Sequence, residues 1–122
     1  MKLLAADIGN TNVTIGLFED DRLARSWRAI TRANATSDEV ASMLTGLLAL
    51  DAHRLDELDA IAIASVVPPL TETWERLAAE RVGVAPVAID AAALDGVLEI
   101  RIDRPSEAGA DRLANALAAR TE

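Results

Sequence analysis

Three features of the sequence predict an α/β domain. Two apolar runs, residues 3–6 and 13–18, flank a tight polar connection and read as consecutive strands. Residues 60–64, Ala-Ile-Ala-Ile-Ala, form a short continuous apolar run of the kind found in buried parallel strands. Helically spaced apolar residues follow a polar start at Thr36 and a proline pair at Pro68-Pro69.

The first strand, Leu3-Leu4-Ala5-Ala6, ends in Asp7-Ile8-Gly9-Asn10-Thr11-Asn12, and Val13-Thr14-Ile15-Gly16-Leu17-Phe18 follows at once. Asp20-Asp21 marks a second turn and residues 23–30 a third strand with Trp27 near its end, giving a three-stranded antiparallel meander. Thr36-Ser37-Asp38-Glu39 fits a capping box, and Val40, Met43, Leu44, Leu47 and Leu48 then recur at helical spacing, with a solvated polar face opposite. A charged connection, residues 51–59, carries His53, read as a surface loop residue. After the apolar run, Pro68 and Pro69 open a helix whose stripe is Leu70, Trp74, Leu77 and Ala78, with Trp74 in the core and Gly83 as the stop. Residues 87–89 form a possible short strand, and residues 97–102 alternate as a strand with one covered face. Pro105 and Ser106 open a last helix lined by Ala110, Leu113, Ala114 and Leu117.

Composition narrows the function. A chain of 122 residues fits one domain, able to bury roughly two-thirds of its unfolded surface. With 51% hydrophobic residues but only 2% aromatics, its core must be built from Ala, Leu, Ile and Val. A formal charge of -8 argues against non-specific binding to nucleic acid or to an anionic membrane surface. Local binding of an anionic nucleotide remains open, because backbone N–H groups and a metal ion can supply a positive field. Without cysteine there is neither a disulfide nor a thiolate metal site, and the lone His53 makes no cluster. No long apolar stretch suggests a membrane span and no signal peptide is recognisable, so a cytoplasmic protein is expected.

The polar connection carries the chemistry. Gly9 lets backbone approach a ligand; Asn10, Thr11 and Asn12 offer hydroxyl, amide and backbone donors to a phosphate; Asp7 can face a metal ion or its water. An ordinary hairpin turn is the alternative, since these residues are common turn formers. In the last helix Glu107 and Asp111 form a like-charge pair four residues apart, which weakens an isolated helix. Either the regular helix begins nearer Gly109, or Asp111 serves chemistry, with Arg112 beside it.

Taken in order, Asp7-Ile8-Gly9-Asn10-Thr11-Asn12, Ser65-Val66-Val67-Pro68-Pro69-Leu70 and Pro105-Ser106-Glu107-Ala108-Gly109-Ala110-Asp111-Arg112 resemble signature motifs of type III pantothenate kinases, within the superfamily of acetate and sugar kinases, heat-shock cognate proteins and actin. The resemblance implies a ribonuclease H-like domain, the meander extended by parallel strands and covered by helices. Residues 1–122 would be the N-terminal domain of a two-domain kinase whose second domain is absent from this chain. The implied reaction is ATP-dependent phosphorylation of pantothenate at its primary hydroxyl, the first step of coenzyme A biosynthesis. By position Asp7 would place Mg-ATP, Gly9, Asn10, Thr11 and Asn12 would form the phosphate loop, and Asp111 would be the general base. Gly109, Arg112 and the position of Ile102 would contact pantothenate. A monovalent cation, K+ or NH4+, and a homodimer are also implied.

The sequence departs from the family's pattern at several points. Ile102 stands where many relatives have a Tyr, Arg104 where they have Asn, and Ala108 where Val is common. A missing phenol removes a hydrogen bond from the substrate side and leaves an apolar wall. With half of the nucleotide cleft absent, the 122 residues alone are expected not to turn over ATP. A non-catalytic relative acting as an accessory factor for gene expression is the competing reading, and another small-molecule kinase of the superfamily is a third.

Overall fold

The computed structural model describes residues 1–20 and 22–89. The expected strand over 97–102 and the helix opening at Ser106 lie outside the described residues. The meander is present as β1 (Lys2–Ile8), β2 (Asn12–Glu19) and β3 (Arg22–Ile30). There follow α1 (Ser37–Leu50), a 3-10 turn at Leu55–Glu57, β4 (Ala60–Ser65), α2 (Pro68–Leu77) and β5 (Val87–Ala88). The strands form a mixed five-stranded sheet in the order β3-β2-β1-β4-β5. β1 is central: it runs antiparallel to β2, with Leu3 opposite Phe18 and Ile8 opposite Val13, and parallel to β4, with Leu4 beside Ile61 and Ile8 beside Ser65.

The alternation along these strands separates two apolar faces. Leu4, Ala6, Ile8, Val13, Ile15, Leu17, Ile61 and Ile63 meet Val40, Leu44 and Leu48 of α1 and Leu70, Trp74 and Leu77 of α2. Leu3, Ala5, Phe18, Ala62 and Ala64 form the core of the other face. Continuous burial explains why residues 60–64 carry no polar alternation: Ile61 through Ala64 are buried on both sides of β4. Between β2 and β3 the turn places Asp20 at φ 58, a left-handed conformation that a short polar side chain tolerates.

The capping box forms as the sequence predicts. The Glu39 N–H donates to Thr36 Oγ1 at 3.1 Å, and the Thr36 N–H donates to Glu39 Oε1 at 3.0 Å. Not all of the polar face of α1 is left to water, because Asp38 pairs with Arg81 at 2.7 Å. Pro68 opens α2 at its first position, where a missing N–H costs nothing. Beyond Leu77 the chain continues through a π-helical turn, Ala78–Val82, and stops at Gly83, whose φ of 83 lets its N–H reach back to the Ala78 carbonyl at 2.8 Å. His53 lies in the loop after α1, as expected, yet only 17% of its side chain is exposed, with Nε2 3.8 Å from Glu19.

Asp51, expected only as part of a charged connection, joins the end of α1 to β3. It accepts from Trp27 Nε1 at 2.8 Å and pairs with Arg25 Nε at 3.1 Å. Lys2, at the start of β1, pairs with Glu57 at 2.6 Å, which raises the lysine pKa and lowers that of the carboxyl.

Asp51→Ala should leave the Trp27 indole N–H without its acceptor and cost about 1–2 kcal/mol, read from urea unfolding; an unchanged midpoint would mean that α1 and β3 do not depend on this tie. The capping box sets a second expectation. The Glu39 carboxyl is held below its ordinary value of 4.5 by its bond to the Thr36 backbone. A depressed folded pKa stabilises above the unfolded value and loses that contribution as pH falls through the folded one. Melting of wild type and Glu39→Gln should therefore differ at neutral pH, the difference shrinking as pH falls through the lowered carboxyl pKa; a difference that grows on acidification would contradict the cap.

Candidate phosphate site at the end of the central strand

β1 ends where the polar connection begins, so the fold sets Asp7 and residues 9–12 at one end of the sheet. Asp7 lies opposite Thr14 of β2 and beside Ala64 of β4. It shares the face of Leu3 and Ala5, away from α1 and α2. The side chain is half-buried, and among the described residues no donor reaches its carboxylate. Asn10, Thr11 and Asn12 are exposed.

The connection is tightly bonded through its carbonyls. The Gly9 N–H donates to the Asn12 carbonyl at 3.0 Å, closing the turn. The Thr31 N–H donates to the Thr11 carbonyl at 2.9 Å and the Thr31 hydroxyl to the Gly9 carbonyl at 2.7 Å. The Val66 N–H donates to the Ile8 carbonyl at 3.1 Å. Among the described residues the N–H groups of Asn10 and Thr11 meet no acceptor. The Gly9, Thr11 and Asn12 carbonyls are thus engaged while the Asn10 and Thr11 amides are open, an arrangement compatible with an anion. A Cβ at position 9 would stand 3.2 Å from the Asn12 carbonyl oxygen, tight enough that the turn would have to shift slightly to admit it.

The second motif meets the first. Ser65 ends β4 beside Ile8, and its hydroxyl accepts from the Val67 N–H at 3.0 Å and bonds the Val67 carbonyl at 3.1 Å. That turn leads directly into Pro68. The third motif, with Gly109, Asp111 and Arg112, and the strand position Ile102 lie outside the described residues. Thr31 escaped the motif reading because nothing local distinguishes it. Its signal is register: Asn12 pairs with Ile30, so the next residue must fall beside Thr11.

Among the described residues no group of three or more His, Cys, Asp or Glu side chains could hold a metal ion. A cavity of about 510 Å³ opens on the helix side of the sheet, lined by residues including Val13, Val40, Leu70 and Trp74. Arg32, Glu39 and Ser42 add polar groups to this lining, which lies on the face of the sheet away from Asp7.

Fold and loop together define an α/β domain whose central strand ends in a turn with two open backbone amides. The chain belongs to the type III pantothenate kinase family, whose sequence profile matches residues 3–122. It is 44% identical over 119 residues to the type III pantothenate kinase of Dehalococcoides mccartyi strain 195, covering 98% of this chain and 46% of that protein. With the type III pantothenate kinase of Rubrobacter xylanophilus the identity is 45% over 118 residues, covering 97% of this chain and 44% of that protein. Among solved structures, the PPX-GPPA enzyme of Aquifex aeolicus overlays with a TM-score of 0.43 at 16% identity, over 88% of this chain and 42% of that one. The chain spans a little under half the length of the curated relatives it matches.

Ser65→Ala should strip the Val67 N–H of its acceptor and lower stability by about 1 kcal/mol in chemical denaturation; a neutral result would show that the prolines alone set this turn.

Proposed function

We propose that the complete protein transfers the γ-phosphoryl group of ATP to the primary hydroxyl of pantothenate, the first step of coenzyme A biosynthesis. The observation that carries this reading is the bonded loop at the end of β1, with its Gly9, Thr11 and Asn12 carbonyls engaged and, among the described residues, its Asn10 and Thr11 amides free, in a chain of this family. In this reading residues 1–122 form a ribonuclease H-like N-terminal domain, and a second domain completes the nucleotide cleft.

Phosphoryl transfer asks for alignment, charge neutralisation and a proton acceptor more than for covalent work by the protein. Gly9, Asn10, Thr11 and Asn12 cradle the phosphates, and Asp7 holds Mg2+, which neutralises triphosphate charge when bound. Asp111 accepts the hydroxyl proton as the new O–P bond forms and the bond to the ADP oxygen breaks. Arg112 suits the pantothenate carboxylate because its planar fork binds both oxygens, and Gly109 allows close approach. At Ile102 the substrate meets an apolar wall. The monovalent cation belongs to the family resemblance; it has no assigned ligands among the described residues and enters no step. A homodimer in the cytoplasm completes the reading. Among the described residues no helix is long and apolar enough to cross a membrane.

The test is made on the complete protein. Wild type should form phosphopantothenate only with both ATP and pantothenate present. Asp111→Asn should keep the circular dichroism spectrum and lose about 10²–10⁴-fold in turnover. Undiminished turnover in that variant removes the general-base assignment, and no product from the wild type removes the reaction.

A further inference from the structure

The loop joining β1 and β2 is held by a residue that belongs to neither strand. Thr31 directly follows β3, and its backbone N–H and side-chain hydroxyl bond the Thr11 and Gly9 carbonyls at 2.9 and 2.7 Å. The two bonds differ in kind. The amide bond extends the β2–β3 ladder by one step and any residue but proline could make it. The hydroxyl bond exists only because the side chain at this position carries a donor.

That hydroxyl sets more than the position of one oxygen. The Gly9 carbonyl and the Asn10 N–H belong to the same planar trans peptide, so they point in opposite directions. Anchoring the carbonyl toward β3 therefore directs the Asn10 N–H away from β3. Rotation of this peptide plane would reverse the two groups, presenting an oxygen where a donor had been. Gly9, without a Cβ, offers little intrinsic resistance to such rotation. The Ile8 and Asn12 carbonyls are restrained independently, by Val66 and by Gly9 itself. Among the described residues the Gly9–Asn10 plane has only the Thr31 hydroxyl.

We propose that Thr31 is a positioning residue for the nucleotide phosphates: its hydroxyl locks the Gly9–Asn10 peptide plane so that the Asn10 N–H faces the anion. The inference rests on the phosphate-loop reading above and adds to it a residue outside the three motifs. The hydroxyl proton is committed to the Gly9 carbonyl, so Thr31 acts through the loop and not on the substrate. Threonine suits the role because its branched Cβ restricts χ1 in extended backbone, holding the donor on its target.

In the complete enzyme, Thr31→Val keeps the branched shape and the backbone bond but removes the donor, while Thr31→Ser restores it. Thr31→Val should raise the KM for ATP about tenfold, equivalent to ~1.4 kcal/mol, with the pantothenate KM and the nucleotide-free melting temperature unchanged. Thr31→Ser should return the ATP KM to within about twofold of wild type. An unchanged ATP KM in Thr31→Val overturns the inference. So does a parallel rise in both KM values with a lowered melting temperature and no rescue by serine, which identifies a structural role only. Gly9→Ala, measured beside them, separates the two levels of the argument. If it raises the ATP KM while Thr31→Val does not, only the role of Thr31 falls. If neither variant moves it, the phosphate-loop reading falls as well.

Discussion

The hydrogen-bond ladders on the two sides of β1 hold the rest of the molecule in place. Leu3, Leu4, Ala5, Ala6 and Ile8 are buried, so the backbone polar groups between them have little water to turn to and must find partners in β2 and β4. Register is equally constrained. A slip of one residue would carry Leu4, Ala6 and Ile8 from the helix side of the sheet to the other. Since both faces are apolar in the interior but Asp7 can sit on only one of them, the same constraint that packs the core also chooses where the carboxylate stands. The loop inherits its location from this strand and its orientation from β3 and β4.

Much of this architecture was legible because the local signals agreed with the tertiary outcome. The meander, the capped α1, the buried β4 and the proline-opened α2 each carried a periodicity or a turn signature, and the structure realises each of them, with β1 running two residues past Ala6 to Ile8 and the regular part of α2 ending at Leu77, before Gly83. What escaped was of another kind. Asp51 looked like a loop charge, yet the indole of Trp27 needs an acceptor when half-buried, and the end of α1 supplies one. His53 sits against Glu19 because α1 delivers its loop to the end of β2, a proximity no local pattern encodes. The π-helical turn before Gly83 likewise has no distinctive residue string.

The candidate site divides along the same line. Gly9, Asn10 and Thr11 could be read from residue type alone, since few other side chains permit so close a backbone turn with so many donors. Thr31 is chemically ordinary and acquires meaning only from strand register. Motifs name the residues at a reacting surface, whereas the groups that orient them are dispersed through the chain and emerge only when the strands are paired.

β3 occupies one edge of the sheet formed by the described residues, and its exposed side chains include Arg22, Arg25 and Arg28. An edge strand is a template on which another strand can add. Two copies meeting there about a two-fold axis would bring Arg22 and Arg28 of each toward charges of the same sign, whereas Arg25 already has Asp51 as its counter-charge. Although the protein is acidic as a whole, this margin is locally cationic. Charge of one sign along an edge strand disfavours strand addition there.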